Sequence, residues 1–240
     1  MSIDTYTNRP SNNAGIREGI VDAGLRRYML AVYNYMALGL GLTGLVAAIA
    51  VSSGFYQQIA GTPLIWLVML APLAAVLFLS FRIDRISYST AQAVFSLYAA
   101  LMGLSLAGIL LVYTGTSVAR VFFISAGTFA AMSLYGYSAR RDLSRFGSFL
   151  FMGLIGIILA SVVNIFVASS MLQFVISVIG VLLFTGLTAY GTQRIKEIYF
   201  SGRGATDLAK LGLMSALTLY LDFINLFVML LQPTGERRER

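Results

Sequence analysis

The chain has 240 residues, of which 58% are hydrophobic and 11% are charged, and its formal net charge is +7. Globular domains usually contain about 25% charged residues, so this composition indicates a membrane protein and not a soluble domain. The chain has neither cysteine nor histidine, which excludes disulfides, thiol catalysis, haem ligation by histidine and ordinary zinc sites.

The first part of the chain, residues 1–25, is polar and is expected to form a flexible cytoplasmic tail. Seven apolar segments follow, each about long enough as a helix to cross a hydrocarbon core of about 30 Å. We therefore predict an all-α transmembrane domain of seven helices over residues 26–232, followed by a charged tail at 233–240. The predicted spans are residues 28–51, 64–81, 90–113, 118–137, 146–168, 171–190 and 211–232.

The basic residues indicate how these spans are oriented. Thirteen of them fall in the N-terminal tail and in the segments on its side of the membrane, whereas the loops of the opposite side contain only Arg120. This distribution predicts a cytoplasmic N terminus. Arg140, Arg141 and Arg145 form one cluster, which sets topology and would also attract anionic lipid. No contiguous basic patch points to nucleic acid as a partner.

The last apolar segment leaves two alternatives. If it spans, the arginines of the C-terminal tail lie on the outer side, against the charge rule; if it is re-entrant, they return to the inner side. A re-entrant segment needs a turn within the membrane, and residues 213–232 contain neither glycine nor proline to make one. We therefore favour seven spans.

This last segment also contains Asp222, the only acidic residue inside any apolar segment. Ser215, Thr218, Asp222 and Asn225 are spaced by three, four and three residues, so they share one narrow helix face. An ionisable side chain in a membrane is costly and usually functional. We expect this face to point into protein or a wet cavity and not into lipid.

Three patches together resemble the Bax inhibitor-1 family, also called the transmembrane Bax inhibitor motif proteins, in its bacterial branch. They are SARRDLSRFGSFLFMGLIGIILASVVNIF at 138–166, AYGTQRIKEIY at 189–199 and LTLYLDFINLF at 217–227. The resemblance implies seven helices with the last one central, a location in the bacterial inner membrane, and a proton-sensitive calcium leak. It also implies a regulatory alternative, in which the protein modulates a membrane-bound protease or a stress response.

The resemblance assigns roles to three positions. Asp222 matches the family aspartate of the last helix, and Arg82 matches an arginine that acts as a latch. The second family aspartate normally follows a tyrosine in a Tyr-Asp-x-x-Gln pattern, but here that position is Gly191. Two close carboxylates titrate as a coupled pair, and this chain does not have the residues to form that pair.

Asp222 must therefore rely on Arg82, on Thr218 and Asn225, or on its own protonation. The sequence predicts a leak for calcium or protons around Asp222, with at most a transient Ca²⁺ contact, no metal site and no cofactor. The regulatory alternative depends on the N-terminal tail, to which a partner protein would bind. Without histidine, cysteine or paired carboxylates in the membrane region, we expect no enzymatic activity.

Overall fold

A computed structural model describes residues 12–139, 141–201 and 204–238, with side chains described from residue 23 onward. Almost all of these residues are helical. Seven of the helices in the described ranges, all except the short α2, are long and apolar enough to cross a membrane. The predicted all-α architecture with seven spans is confirmed. The helices are α1 (Asn12–Ser52), α2 (Phe55–Ala60), α3 (Leu64–Arg82), α4 (Tyr88–Val112), α5 (Gly115–Ser138), α6 (Ser144–Val167), α7 (Ser170–Phe200) and α8 (Ala205–Thr234).

The last helix is the centre of the bundle, as the family resemblance implied. In the apolar stretch of α8, 61% of the residues are buried, against 39% or fewer in each of the other six spans. Helices α1, α4, α5 and α7 pack directly around α8, while α3 packs on α4 and α6 packs on α7. Helices α3 and α6 are therefore the outer flanks of the bundle.

One face of α8 is held against α1 and α4 by an aromatic and hydroxyl cluster. The ring of Tyr220 packs edge-on against Tyr98 and Phe95, with centroid distances of 5.5 and 6.2 Å. The Tyr220 hydroxyl shares a hydrogen bond of 2.7 Å with Thr43 Oγ1. Gly103 permits the close approach of α4 to α1, because a Cβ there would lie 2.5 Å from the carbonyl oxygen of Thr43. This face of α8 is thus fully occupied by protein.

The C-terminal residues after α8 lie against the turn between α4 and α5. The amide of Thr114 donates to the carbonyl of Glu236, and the amide of Arg238 donates to the carbonyl of Val112, both at 2.9 Å. The Glu236 amide also donates to Ser117 Oγ at 2.9 Å. We call residues 235–238 the C-terminal strap. Because α8 is continuous and the strap reaches the α4–α5 turn, the re-entrant alternative for the last segment is wrong.

Two helices extend beyond the predicted spans. Helix α1 begins at Asn12, so residues 12–25 of the predicted tail are helical, whereas the rest of that tail lies outside the described residues. Apolar residues recur there at helical spacing of four and three, at Ile16, Ile20 and Ala23. Helix α7 continues ten residues past Tyr190 to Phe200. Its extension remains packed, since Thr192, Gln193 and Ile195 are all buried.

Candidate functional site

A cavity of about 440 Å³ lies among α6, α7 and α8. On α8 its lining extends from Leu211 to Asn225, which is about 21 Å along the helix axis. The four polar residues that the sequence placed on one face of α8 all line this cavity; they are Ser215, Thr218, Asp222 and Asn225. The cavity begins at the end of the bundle where α7 joins α8 and reaches toward the middle of the predicted membrane span.

Gly191 lies directly across the cavity from Asp222. A Cβ placed on Gly191 would lie 3.7 Å from Asp222 Oδ2 and 3.4 Å from Leu219 Cδ2, which are ordinary van der Waals distances. A side chain at position 191 would therefore fit and would point at the carboxylate. The space beside Gly191 is part of this cavity.

Asp222 has no protein partner among the residues that the structure describes. It is only 7% exposed, yet its carboxylate neither accepts a hydrogen bond nor forms an ion pair with them. Thr218, which the sequence offered as a partner, donates to the carbonyl of Met214 on its own helix at 3.1 Å. A buried carboxylate among apolar walls is costly unless a cation or a proton neutralises it.

The arginine that shares the cavity with Asp222 is Arg194 of α7 and not Arg82. Arg194 lines the cavity one helical turn beyond Gly191. Arg82 is exposed at the end of α3, an outer helix, and among the described residues no ion pair joins it to Asp222. The structure therefore does not pair these two residues, and a latch role for Arg82 stays a prediction.

Sequence reasoning missed Arg194 because it ended the sixth span at Tyr190. Arg194 then falls between the predicted spans, among the basic residues that indicate orientation. The signal that could have found it is the spacing from Gly191, since residues three apart on a helix lie on the same face. The buried Thr192, Gln193 and Ile195 continue the helix through this position.

A network of neutral polar side chains links the same three helices at the opposite end of the bundle. Asn164 Nδ2 of α6 donates to Gln173 Oε1 of α7 at 3.0 Å. Gln173 Nε2 donates to Gln232 Oε1 of α8, and Ser177 Oγ donates to the same oxygen at 2.8 Å. These bonds tie α6, α7 and α8 together at the end remote from Arg194.

The family model described as Inhibitor of apoptosis-promoting Bax1 matches residues 25–239. The chain belongs to the Bax inhibitor-1 family. It is 47% identical to the Inner membrane protein YbhL of Escherichia coli K12 over 220 residues, which cover 90% of this chain and 94% of that protein. It is also 50% identical to an uncharacterized protein of Rickettsia prowazekii, over 91% of this chain and 93% of that protein.

More distant relatives also match over nearly the whole chain. An uncharacterized membrane protein of Streptococcus pyogenes serotype M3 is 35% identical over 217 residues, covering 89% of this chain and 94% of that protein. The family membership that the three sequence patches predicted is confirmed. Together with the seven apolar helices, it makes this chain a multi-pass protein of the bacterial inner membrane.

One position that the resemblance singled out in this Bax inhibitor-1 family member lies in the cavity. The position where the resemblance implied a second aspartate is Gly191, and the structure places it opposite Asp222. There is thus room beside Asp222 for a second carboxylate, but position 191 has no side chain. What the cavity offers is one carboxylate, the oxygen atoms of Ser215, Thr218 and Asn225, and one guanidinium at its mouth.

Proposed function

We propose that this Bax inhibitor-1 family protein is a cation leak of the inner membrane, with Asp222 as the residue that contacts the passing ion. The observation that carries the proposal is the solitary carboxylate of Asp222 in a cavity that extends about 21 Å along α8. A single acid within a membrane protein is usually part of an ion or proton path. No other acidic residue lies inside a predicted span.

The oxygen atoms around this cavity favour a hard cation such as Ca²⁺. Calcium binds six to eight oxygen ligands, commonly from carboxylates, amide carbonyls and water. Asp222 and Asn225 supply oxygens of these kinds, Thr218 adds a hydroxyl oxygen, and the described residues contain no cluster of three or more histidine, cysteine or acidic side chains. A single carboxylate gives Ca²⁺ a transient contact and not a high-affinity binding site, as a leak requires.

The positive charge of Arg194 limits the rate at which cations enter this path. Its guanidinium lies toward the mouth of the cavity, so an incoming cation must pass a like charge before it reaches Asp222. The polar network around Gln232 closes the other end. Ion passage therefore requires that α8 or its neighbours move at that end, and the conducting state differs from the one described.

The experiment is calcium flux into proteoliposomes loaded with a calcium indicator, with the wild type compared with Asp222→Asn. Loss of the charge should lower the flux at least about tenfold, because a contact to a charged group is worth about 1.5–3 kcal/mol. Asp207→Asn is the matched control, since Asp207 is an exposed acid on the same helix outside the cavity.

Two outcomes would contradict the proposal. Wild-type flux equal to that of protein-free vesicles at every pH and calcium concentration would exclude a leak. A flux that Asp222→Asn and Asp207→Asn reduce equally would show that surface charge, and not the cavity, controls passage.

The orientation of the protein is part of this proposal. The excess of arginine and lysine on one side supports a cytoplasmic N terminus, which would open the Asp222 cavity toward the cytoplasm. Accessibility of a cysteine introduced at Thr234, labelled from either side, tests this orientation. The regulatory alternative rests on a tail whose first eleven residues lie outside the described ranges, so it stays a prediction.

A further inference from the structure

A second hollow, of about 400 Å³, adjoins the Asp222 cavity on the outer surface between α6 and α7. We call it the α6–α7 groove. Three residues line both hollows, namely Phe151, Tyr190 and Arg194. The remaining lining of the groove comes from one face of α6; these residues are Gly147, Ser148, Met152 and Ile155.

The floor of the groove is the ring of Tyr190. It reaches the backbone of α6 only because position 147 has no side chain, since a Cβ on Gly147 would lie 2.7 Å from the Tyr190 ring. The next turn of α7 is also fixed. Gln193 Nε2 donates to the carbonyl of Arg141 at 2.8 Å, and its Oε1 accepts from the Leu143 amide at 2.7 Å. These bonds hold the loop before α6 against α7, so the groove is a built feature of the fold.

The groove is polar at one end and apolar at the other. Ser148 lies one turn from the start of α6, and Ile155 lies about 10 Å deeper along the axis. The deeper residues face outward, with Phe151 62% exposed, Met152 70% and Ile155 49%. In a bilayer this gradient runs from the headgroup region into the hydrocarbon, which matches the shape of a lipid and not that of a soluble ligand.

Two arginines stand at the polar end. Arg194 lines the groove, is exposed, and forms neither a hydrogen bond nor an ion pair with another described residue. Arg145 is also exposed, and its spacing of three from Ser148 and seven from Met152 places it on the groove face of α6. A guanidinium binds phosphate oxygens in a bidentate manner, so this end complements a phosphodiester anion.

We propose that the α6–α7 groove is a binding site for an anionic phospholipid. The phosphate lies between Arg194 and Arg145, and one acyl chain lies on Tyr190, Phe151, Met152 and Ile155. This site does not depend on the ion leak, because neither the groove nor its charges involve Asp222. It adds a lipid headgroup to the mouth of the Asp222 cavity, where Arg194 is shared.

The chain is well suited to a test by fluorescence quenching, because it contains a single tryptophan, Trp66. Trp66 lies on α3 and is 67% exposed, so the wild-type protein reports on lipid remote from the groove. A Trp66→Phe, Met152→Trp variant reports on the groove itself. Both proteins are reconstituted in phosphatidylcholine vesicles in which brominated phosphatidylglycerol stepwise replaces the neutral lipid, and quenching gives the local preference for the anionic lipid.

We expect the local preference for phosphatidylglycerol to be near one at Trp66 and at least about fivefold higher at position 152. Adding Arg194→Gln to the groove reporter should lower it about fivefold, whereas adding Arg85→Gln, which removes an exposed arginine beside α3, should leave it unchanged. Equal preference at the two tryptophans, or a groove preference that Arg194→Gln does not lower, would overturn the proposal.

A second measurement avoids the tryptophan substitutions. Native mass spectrometry of the unmodified protein and of Arg194→Gln, each with added phosphatidylglycerol or phosphatidylcholine, should show a retained anionic lipid only on the wild type. Retention that is the same for both lipids, or for both proteins, would also overturn the proposal. Soluble glycerol phosphate added in excess should not displace the lipid, because it lacks the acyl chain; displacement would show a phosphate site and refute a lipid site.

Discussion

Introducing a carboxylate at position 191 should make the proposed cation flux depend on pH. In Gly191→Asp the new Cβ would lie 3.7 Å from Asp222 Oδ2, and the new carboxyl carbon lies one bond further into the cavity. The two carboxylates would then be about 4 Å apart, where two unit charges repel by about 4 kcal/mol at an effective dielectric constant of 20. That repulsion separates the two proton losses of the pair by about three pH units.

The assay is calcium flux in proteoliposomes measured between pH 5 and pH 8 for the wild type, Gly191→Asp and Gly191→Asn. Asparagine matches aspartate in size but does not ionise, so it reports the effect of filling the cavity alone. We expect a steep pH dependence only in Gly191→Asp, with loss of that dependence when Asp222→Asn is added. Equal pH profiles for the Asp and Asn variants, or a dependence that survives in the double variant, would refute the shared-proton reasoning.

Two further predictions concern stability, measured as the free energy of unfolding in detergent. Gly136→Ala should destabilise the protein by at least about 2 kcal/mol, because the new Cβ would lie 2.2 Å from the carbonyl oxygen of Ala189. Gly127→Ala on the same helix is the control: its Cβ would meet nothing within 4 Å, so it should stabilise the protein by up to about 1 kcal/mol. If both variants shift stability in the same direction, the packing of α5 on α7 is not as described. Ser117→Ala should lower the free energy of unfolding by about 1 kcal/mol, because it leaves the Glu236 amide unpaired. Glu236→Gln should lower it by less than about 0.5 kcal/mol, because the ion pair of Glu236 with Arg120 is exposed. A larger loss for Glu236→Gln than for Ser117→Ala would show that the strap is held by charge and not by its backbone.

The position of Arg194 links the two proposals. It stands at the mouth of the Asp222 cavity and at the polar end of the α6–α7 groove. A bound lipid phosphate would pair with the guanidinium and would reduce the like charge that an entering cation meets. Flux through the wild type should therefore rise when phosphatidylglycerol replaces phosphatidylcholine, and flux through Arg194→Gln should not respond.

The ends of α8 are held to different extents. At its C-terminal end, Gln232 is tied to α6 and α7, and the C-terminal strap is tied to the α4–α5 turn. At its N-terminal half the helix borders the open cavity. Movement that widens the cavity should therefore begin at the α7–α8 end, while opening of the other end requires breaking the polar network.

The sequence by itself determined the seven spans, the polar face of α8 and the absence of the second aspartate. Hydropathy and helical periodicity are local properties, so the spacing of Ser215, Thr218, Asp222 and Asn225 was sufficient to place them on one face. The same local rules do not say how far a helix continues beyond the membrane. For that reason α7 was ended at Tyr190, and Arg194 was assigned to a loop.

Only the tertiary structure decided which arginine lines the same cavity as Asp222. Arg82 and Arg194 look equivalent in sequence, as basic residues at the inner ends of spans, but α3 is an outer helix and α7 packs directly on α8. The choice between them depends on packing between helices that are distant in sequence. The same is true of the strap, whose bonds to Ser117 and Thr114 join residues more than one hundred positions apart. These long-range contacts, and not any motif, give Asp222 its cavity and leave it without a protein partner among the described residues.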